Sequence, residues 1–191
     1  GFDIKEKILN KNLFDFQKFA VKTALKKGKF ALFFDCGLGK TLMQLDWANQ
    51  VFIYTNKPVL ILAPLAVIDQ TIKEGVKFGI KVEYASFSFD NPNFSSIQIA
   101  NYDQLKNIDT SIYSGVVLDE SSILKGRDGK LSSLIIETFK STPYKLACDI
   151  FSPSSGFGLI LSVNAVLDFD ITSSHLNKEL SFTERLDFGY S

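Results

Sequence analysis

One histidine and two cysteines in 191 residues leave the sequence without the ligands for a zinc-type cluster or the pairs for a disulfide framework. Cys36 falls in a loop and Cys148 in a late apolar stretch, and both read as small buried residues of a reducing compartment. No apolar run approaches the ~18 residues that a membrane-spanning helix needs. Nor does the opening Gly-Phe-Asp-Ile-Lys-Glu-Lys have the form of a secretory signal. The expectation is a cytoplasmic chain with no membrane partner. Net charge is also missing, at +0, so no strong field demands a polyanionic partner. The balance is uneven, however. Residues 1–148 hold 19 Lys+Arg against 15 Asp+Glu, and residues 149–191 hold 2 against 6. The first part therefore permits a phosphate backbone as partner without requiring one. Lys18, Lys22 and Lys26, four apart, read as the solvated face of a helix.

What the chain does have is apolar material, 46% hydrophobic with 18 Phe, enough for one sizeable core. Its decisive stretch is Phe30 to Leu45. Phe30-Ala31-Leu32-Phe33-Phe34 is a continuous apolar run, expected to be a strand covered on both faces. Hydrophobicity then stops at Gly37-Leu38-Gly39, which lets the backbone turn and point successive N–H groups at an anion, and Lys40-Thr41 opens a helix at its positive end. That is a phosphate cradle: Lys40 is expected at the β- and γ-phosphates of a nucleotide and the Thr41 hydroxyl on Mg²⁺. A glycine expected five residues before Gly39 is replaced by Phe34.

The remaining chain alternates helix and strand. Phe14 to Lys27 carries Phe16, Ala20 and Ala24 at helical spacing, with Gly28 to end it and Gln17, whose amide both donates and accepts, in the first turns. Pro58 introduces a buried strand, Val59 to Ala63, stopped by Pro64. Ile68, Ile72 and Val76 then predict a helix with that stripe facing the sheet, ended by Gly79. Lys81 to Ala85 and Ile97 to Ala100 are shorter strands around an Asn91-Pro92-Asn93 turn. Gly115 to Leu118 is an apolar strand ending in Asp119-Glu120-Ser121-Ser122. Acids at the carboxyl end of a buried strand lie where ligands of open α/β folds collect, so Asp119 is placed to hold Mg²⁺ and Glu120 to orient or deprotonate a water. A polar loop with Lys125 and Arg127, a helix from Leu131 to Lys140 and a strand from Tyr144 to Cys148 follow. The fold expected is α/β, a three-layer parallel sheet with helices on both faces joined by right-handed crossovers.

Taken in order, Gln17, Gly37 to Thr41, Leu62 to Ile68, Ile99 to Tyr102 and Asp119 to Ser122 resemble the first RecA-like lobe of superfamily-two helicases, a P-loop NTPase fold, and within them the Swi/Snf-type branch of bacteria and phages. Gln17 precedes Lys40 by 23 residues and Asp119 follows it by 79. The resemblance implies that Gln17 reads adenine, that Gly37, Leu38, Gly39, Lys40 and Thr41 hold the phosphates, that Thr41 and Asp119 hold Mg²⁺, and that Lys40 and Glu120 serve hydrolysis. It further implies that Pro64, Leu65, Asn101 and Tyr102 touch a nucleic acid, DNA rather than RNA. Residues 1–148 then form the ATP-binding lobe and 149–191 a divergent tail. Relatives follow the last strand with a short Ser/Thr motif, where this chain has Asp149-Ile150-Phe151-Ser152-Pro153. The 43 residues after Cys148 are too few for a second lobe, which would have to come from a partner chain or an intact motor. Two readings follow: an ATPase lobe of a nucleic-acid-dependent motor, or a non-catalytic interaction module built on that lobe. A P-loop kinase or GTPase ranks below both, because Asn56-Lys57-Pro58-Val59 lacks the guanine-reading Asp and a kinase leaves Gln17 unexplained.

Overall fold

The computed structural model describes residues 1–34, 38–85, 96–121 and 130–149. Cys36, Gly37, the turn at 91–93, Ser122, the loop at 125–129 and the tail at 150–191 lie outside them. In chain order the elements are α1 (Asp15–Lys27), β1 (Lys29–Phe33), α2 (Lys40–Thr55), β2 (Val59–Ala63), α3 (Leu65–Phe78), β3 (Val82–Tyr84), β4 (Ile97–Asn101), β5 (Gly115–Leu118), α4 (Lys130–Thr138) and β6 (Tyr144–Asp149). Short 3-10 turns occupy Glu6–Ile8, Tyr102–Asn107 and Thr110–Ile112.

Six strands form one sheet in the order β1-β6-β5-β2-β4-β3, and every pair is parallel. The central strands are apolar because both faces are covered. Along β2, Val59, Ile61 and Ala63 join the core beneath α1, α2 and α3, whereas Leu60 and Leu62 face a second core with Leu131 and Ile135 of α4 and Phe139 just after it. This period-two division makes the sheet the middle of three layers. Helix α2 is buried nearly all round, including Met43, Leu45, Trp47 and Ala48, as expected of a helix inside a core rather than on its surface. Each such side chain contributes about 1.5–3 kcal/mol when fully buried.

Two expectations change. Strand β1 lies at an edge of the described sheet and is buried only at alternate residues, Phe30 and Leu32. Among the described residues its apolar run is thus fully buried on one face and half-buried on the other. In α3 the buried stripe is Ile68, Thr71 and Gly75, while Val76 is exposed. Gly75 makes the difference, since a β-carbon there would stand 2.5 Å from the Ile80 carbonyl oxygen, and Thr71 fits by returning its hydroxyl to the Val67 carbonyl at 2.9 Å. The glycine turns the helix by its close approach. Pro64, expected to stop β2, also caps α3 directly.

Candidate nucleotide site and adjoining edge

Parallel strands put all their carboxyl ends on one edge, where the segments bearing the predicted site residues line up. From β1 inward the edge presents the start of α2, the end of β6 at Asp149, Asp119-Glu120 after β5, Pro64-Leu65 after β2 and Asn101-Tyr102 after β4. Ala63 is in register with Asn101, so the last two segments are direct neighbours.

At the first lip, Gly39 caps α2 with φ of 73°, a left-handed conformation that glycine adopts without penalty. Its missing side chain also makes room: the Gln17 amide nitrogen lies 2.4 Å from where a β-carbon would be. That amide donates to the Leu38 carbonyl at 2.7 Å and its oxygen accepts from the Phe14 N–H at 2.8 Å. Gln17 is therefore buried and fixed between the start of α1 and the loop before α2. Phe14 stands beside it with its ring 69% exposed. Lys40 and Thr41 occupy the first turn of α2, both half-buried.

At the second lip, the Asp119 N–H continues the sheet by donating to the Leu62 carbonyl at 2.8 Å. Its carboxylate Oδ1 receives the Gln44 amide at 2.7 Å and the Glu120 N–H at 3.1 Å, and Oδ2 accepts nothing among the described residues. Burial raises the Asp119 pKa above the usual carboxylate value, opposed by the Gln44 bond and by the charge of Lys40. Glu120 is likewise raised, first by desolvation and then by Asp119 and Asp149, while Lys40 again opposes. The lysine of one lip and the acids of the other thus share one electrostatic neighbourhood. Glu120 is held at φ of 50°, an uncommon backbone for a non-glycine residue.

Between the lips stands Asp149, which accepts from the Ser121 hydroxyl at 3.3 Å and is itself buried. The strand β6 includes it, one residue beyond the expected end at Cys148. Behind the site, the wholly buried Cys148 thiol lies against the Gln44 amide, with its pKa pushed well up by burial.

The farther segments are more enclosed than their sequence suggests. Tyr102 is buried, and its hydroxyl donates to the Asp119 carbonyl at 2.7 Å. Burial pushes that phenol well up, with Asp119 next in influence. The Asn101 side chain accepts the Gln104 N–H at 2.9 Å and so caps the following 3-10 turn. Pro64 is half-buried; Leu65 is open to solvent. The described chain also has a hydroxyl-lined cleft of about 560 Å³, with Thr55, Ser114 and Thr142 in its wall, but it opens at the opposite, amino edge of the sheet.

Gln44, Asp149 and Phe14 were given no role at the site by the sequence reading, and Ser121 was noted only as part of the motif after β5. Gln44 left one trace, a polar residue one turn after Lys40 between Met43 and Leu45.

The fold has solved counterparts. The chain is similar to the Sulfolobus solfataricus SWI2/SNF2 ATPase core in complex with dsDNA at TM-score 0.67 and 21% identity, covering 85% of this chain and 37% of that one. This is the fold of a RecA-like helicase lobe. The UvsW helicase of bacteriophage T4 matches at TM-score 0.66 and 17% identity over 80% of this chain and 57% of its own. The Pyrococcus furiosus Hef helicase domain matches at 0.63 and 20% over 85% and 38%. The RecA-like chain thus spans less than two thirds of the length of each. No protein-family model and no curated protein matches its sequence.

Proposed function

We propose that this chain is the ATP-binding lobe of a nucleic-acid-dependent ATPase. The observation that carries the reading is the shared carboxyl edge that sets Lys40, at the start of α2, in one electrostatic neighbourhood with Asp119 and Glu120 after β5. Two opposite charges at that proximity, set at a helix N-terminus and a strand end, suit a metal-bound triphosphate.

The residues present fit the two groups the reading implies. Asp119 has one oxygen without a hydrogen bond among the described residues, and Mg²⁺ commonly takes one or two carboxylates together with phosphate oxygens. Asp119 and Thr41 would hold that cation, which when bound neutralises charge on the phosphates. Leu38, Gly39 and Lys40, with Gly37 before them, would hold the phosphates themselves. Gln17 keeps one amide hydrogen and one acceptor site beyond its two bonds, enough to read an adenine edge, and the open Phe14 ring is placed to stack on the base. Glu120, with its raised pKa, serves as base toward a water. Hydrolysis is then slow in this chain alone, because an arginine from a second lobe is worth ~10³–10⁵ in rate in other NTPases. Lys40→Ala tests the reading: Mg·ATP affinity equal to the parent chain's would remove it.

For nucleic acid, Leu65 is exposed, whereas Pro64 and Asn101 are half-buried and Tyr102 is buried. The DNA seen with the Sulfolobus core supports DNA as the partner. Among the described residues no helix is long and apolar enough to cross a membrane.

Asp149 favours a second reading, a non-catalytic module. A buried acid between the lips adds negative charge where phosphates would sit. ATPase assays with single-stranded and duplex DNA separate the two, since stimulated turnover belongs only to the first.

A further inference from the structure

We propose that Gln44 is a positioning residue for the magnesium carboxylate: its buried amide holds Oδ1 of Asp119 so that Oδ2 is the oxygen left for the cation. The inference rests on the ATP-binding reading above and deepens it.

The geometry is one-sided. Gln44 is 1% exposed and reaches 75 residues along the chain to donate to Asp119 at 2.7 Å. The Glu120 N–H takes the same Oδ1, so two donors converge on one oxygen and none of the described donors reaches the other. The amide is assigned with its nitrogen toward this acceptor oxygen. Its oxygen Oε1 is then left buried without a hydrogen-bond partner. A fold selected only for stability avoids such an orphan, because an unmade bond at a buried polar atom costs more than an apolar replacement. Gln44 accepts that cost while holding Asp119.

Helix α2 explains why the position matters. Lys40 and Gln44 are four residues apart and so lie on one face of the helix, one turn from each other. One helix thus carries both the phosphate lysine and the group that orients the metal acid.

The test measures binding of a fluorescent ATP analogue to the full chain with excess Mg²⁺ and with EDTA, alongside thermal melts. Gln44→Met keeps the volume and removes the donor. The expected result is a parent chain that binds more tightly with Mg²⁺, and a variant that loses about tenfold of that gain while its metal-free affinity stays within twofold. An unchanged magnesium gain in Gln44→Met overturns the proposal and leaves the ATP-binding reading standing. Equal losses with and without Mg²⁺ also overturn it, by showing a merely structural role. A parent chain that binds no nucleotide in either buffer removes both. Should Gln44→Met fail to fold, Gln44→Glu retains shape and polarity and sets carboxylate against carboxylate. It too must lose the gain.

Discussion

The Gln17 amide nitrogen occupies the place that a β-carbon on Gly39 would claim, 2.4 Å from it. The two residues come from different helices, and each restricts the other. Gly39→Ala meets that amide and also a left-handed backbone, which disfavours a β-carbon by roughly 1–2 kcal/mol. The expected outcome in urea denaturation is a loss of about 2 kcal/mol or more. Adding Gln17→Ala should recover the steric part and not the backbone part. Strict additivity of the two substitutions would show that they do not meet.

Asp46 supplies a prediction in pH. It is buried in α2, accepting from the Asn10 N–H and the Gln50 amide, each at 3.3 Å, and burial raises its pKa. The folded chain therefore holds this proton more tightly than the unfolded chain. The resulting stabilisation is complete below the unfolded value of 3.8 and disappears as pH rises through the folded value. Asp46→Asn removes the titration. The difference in unfolding free energy between parent and variant should therefore change with pH across this window and be flat above it. A difference that is flat throughout would contradict the burial argument.

Tyr102→Phe removes the hydroxyl that reaches the Asp119 carbonyl. Leaving that acceptor unpaired should lower stability by about 1–2 kcal/mol. Because the lost bond is to the main chain directly before Glu120, any hydrolysis should fall more than nucleotide affinity does. Calorimetry for stability and paired kcat and Kd measurements check both halves.

Phe14→Ala concerns a ring that is mostly in solvent, so stability should change by no more than about 0.5 kcal/mol. Stacking of a base on an aromatic ring is worth about 1–3 kcal/mol, and ATP affinity should fall accordingly. Inorganic triphosphate, which has no base, should bind parent and variant alike. A matching loss for triphosphate would place Phe14 elsewhere.

The sequence was most legible where a single local rule decided the outcome. Val59 to Ala63 is buried at every residue, as its unbroken apolar run predicts, and Gly28 and Gly79 cap helices at positive φ. It misled where the outcome depended on what packs alongside. The apolar run at Phe30 says nothing of whether one or two layers cover it. The choice between Val76 and Gly75 as the inward residue of α3 turned on the approach of Ile80, which is a tertiary event. The ordered motifs located both lips of the candidate site. They did not reveal Gln44 or Phe14, because a glutamine on a helix and a phenylalanine before one are ordinary until their neighbours are known. The resemblance implied that Tyr102 touches a nucleic acid; its ring completes the second core and its hydroxyl donates to the Asp119 carbonyl.

Strands β1 and β5 never pair; β6 lies between them, bonded to each. With neighbouring strands about 4.8 Å apart, the glycine turn and the acid pair are kept roughly 10 Å from one another by the sheet itself. That gap is a ruler no side chain can adjust. On the proposed reading, a ligand with a single phosphate reaches one bank or the other and a chain of three reaches both, so reach alone would favour a triphosphate.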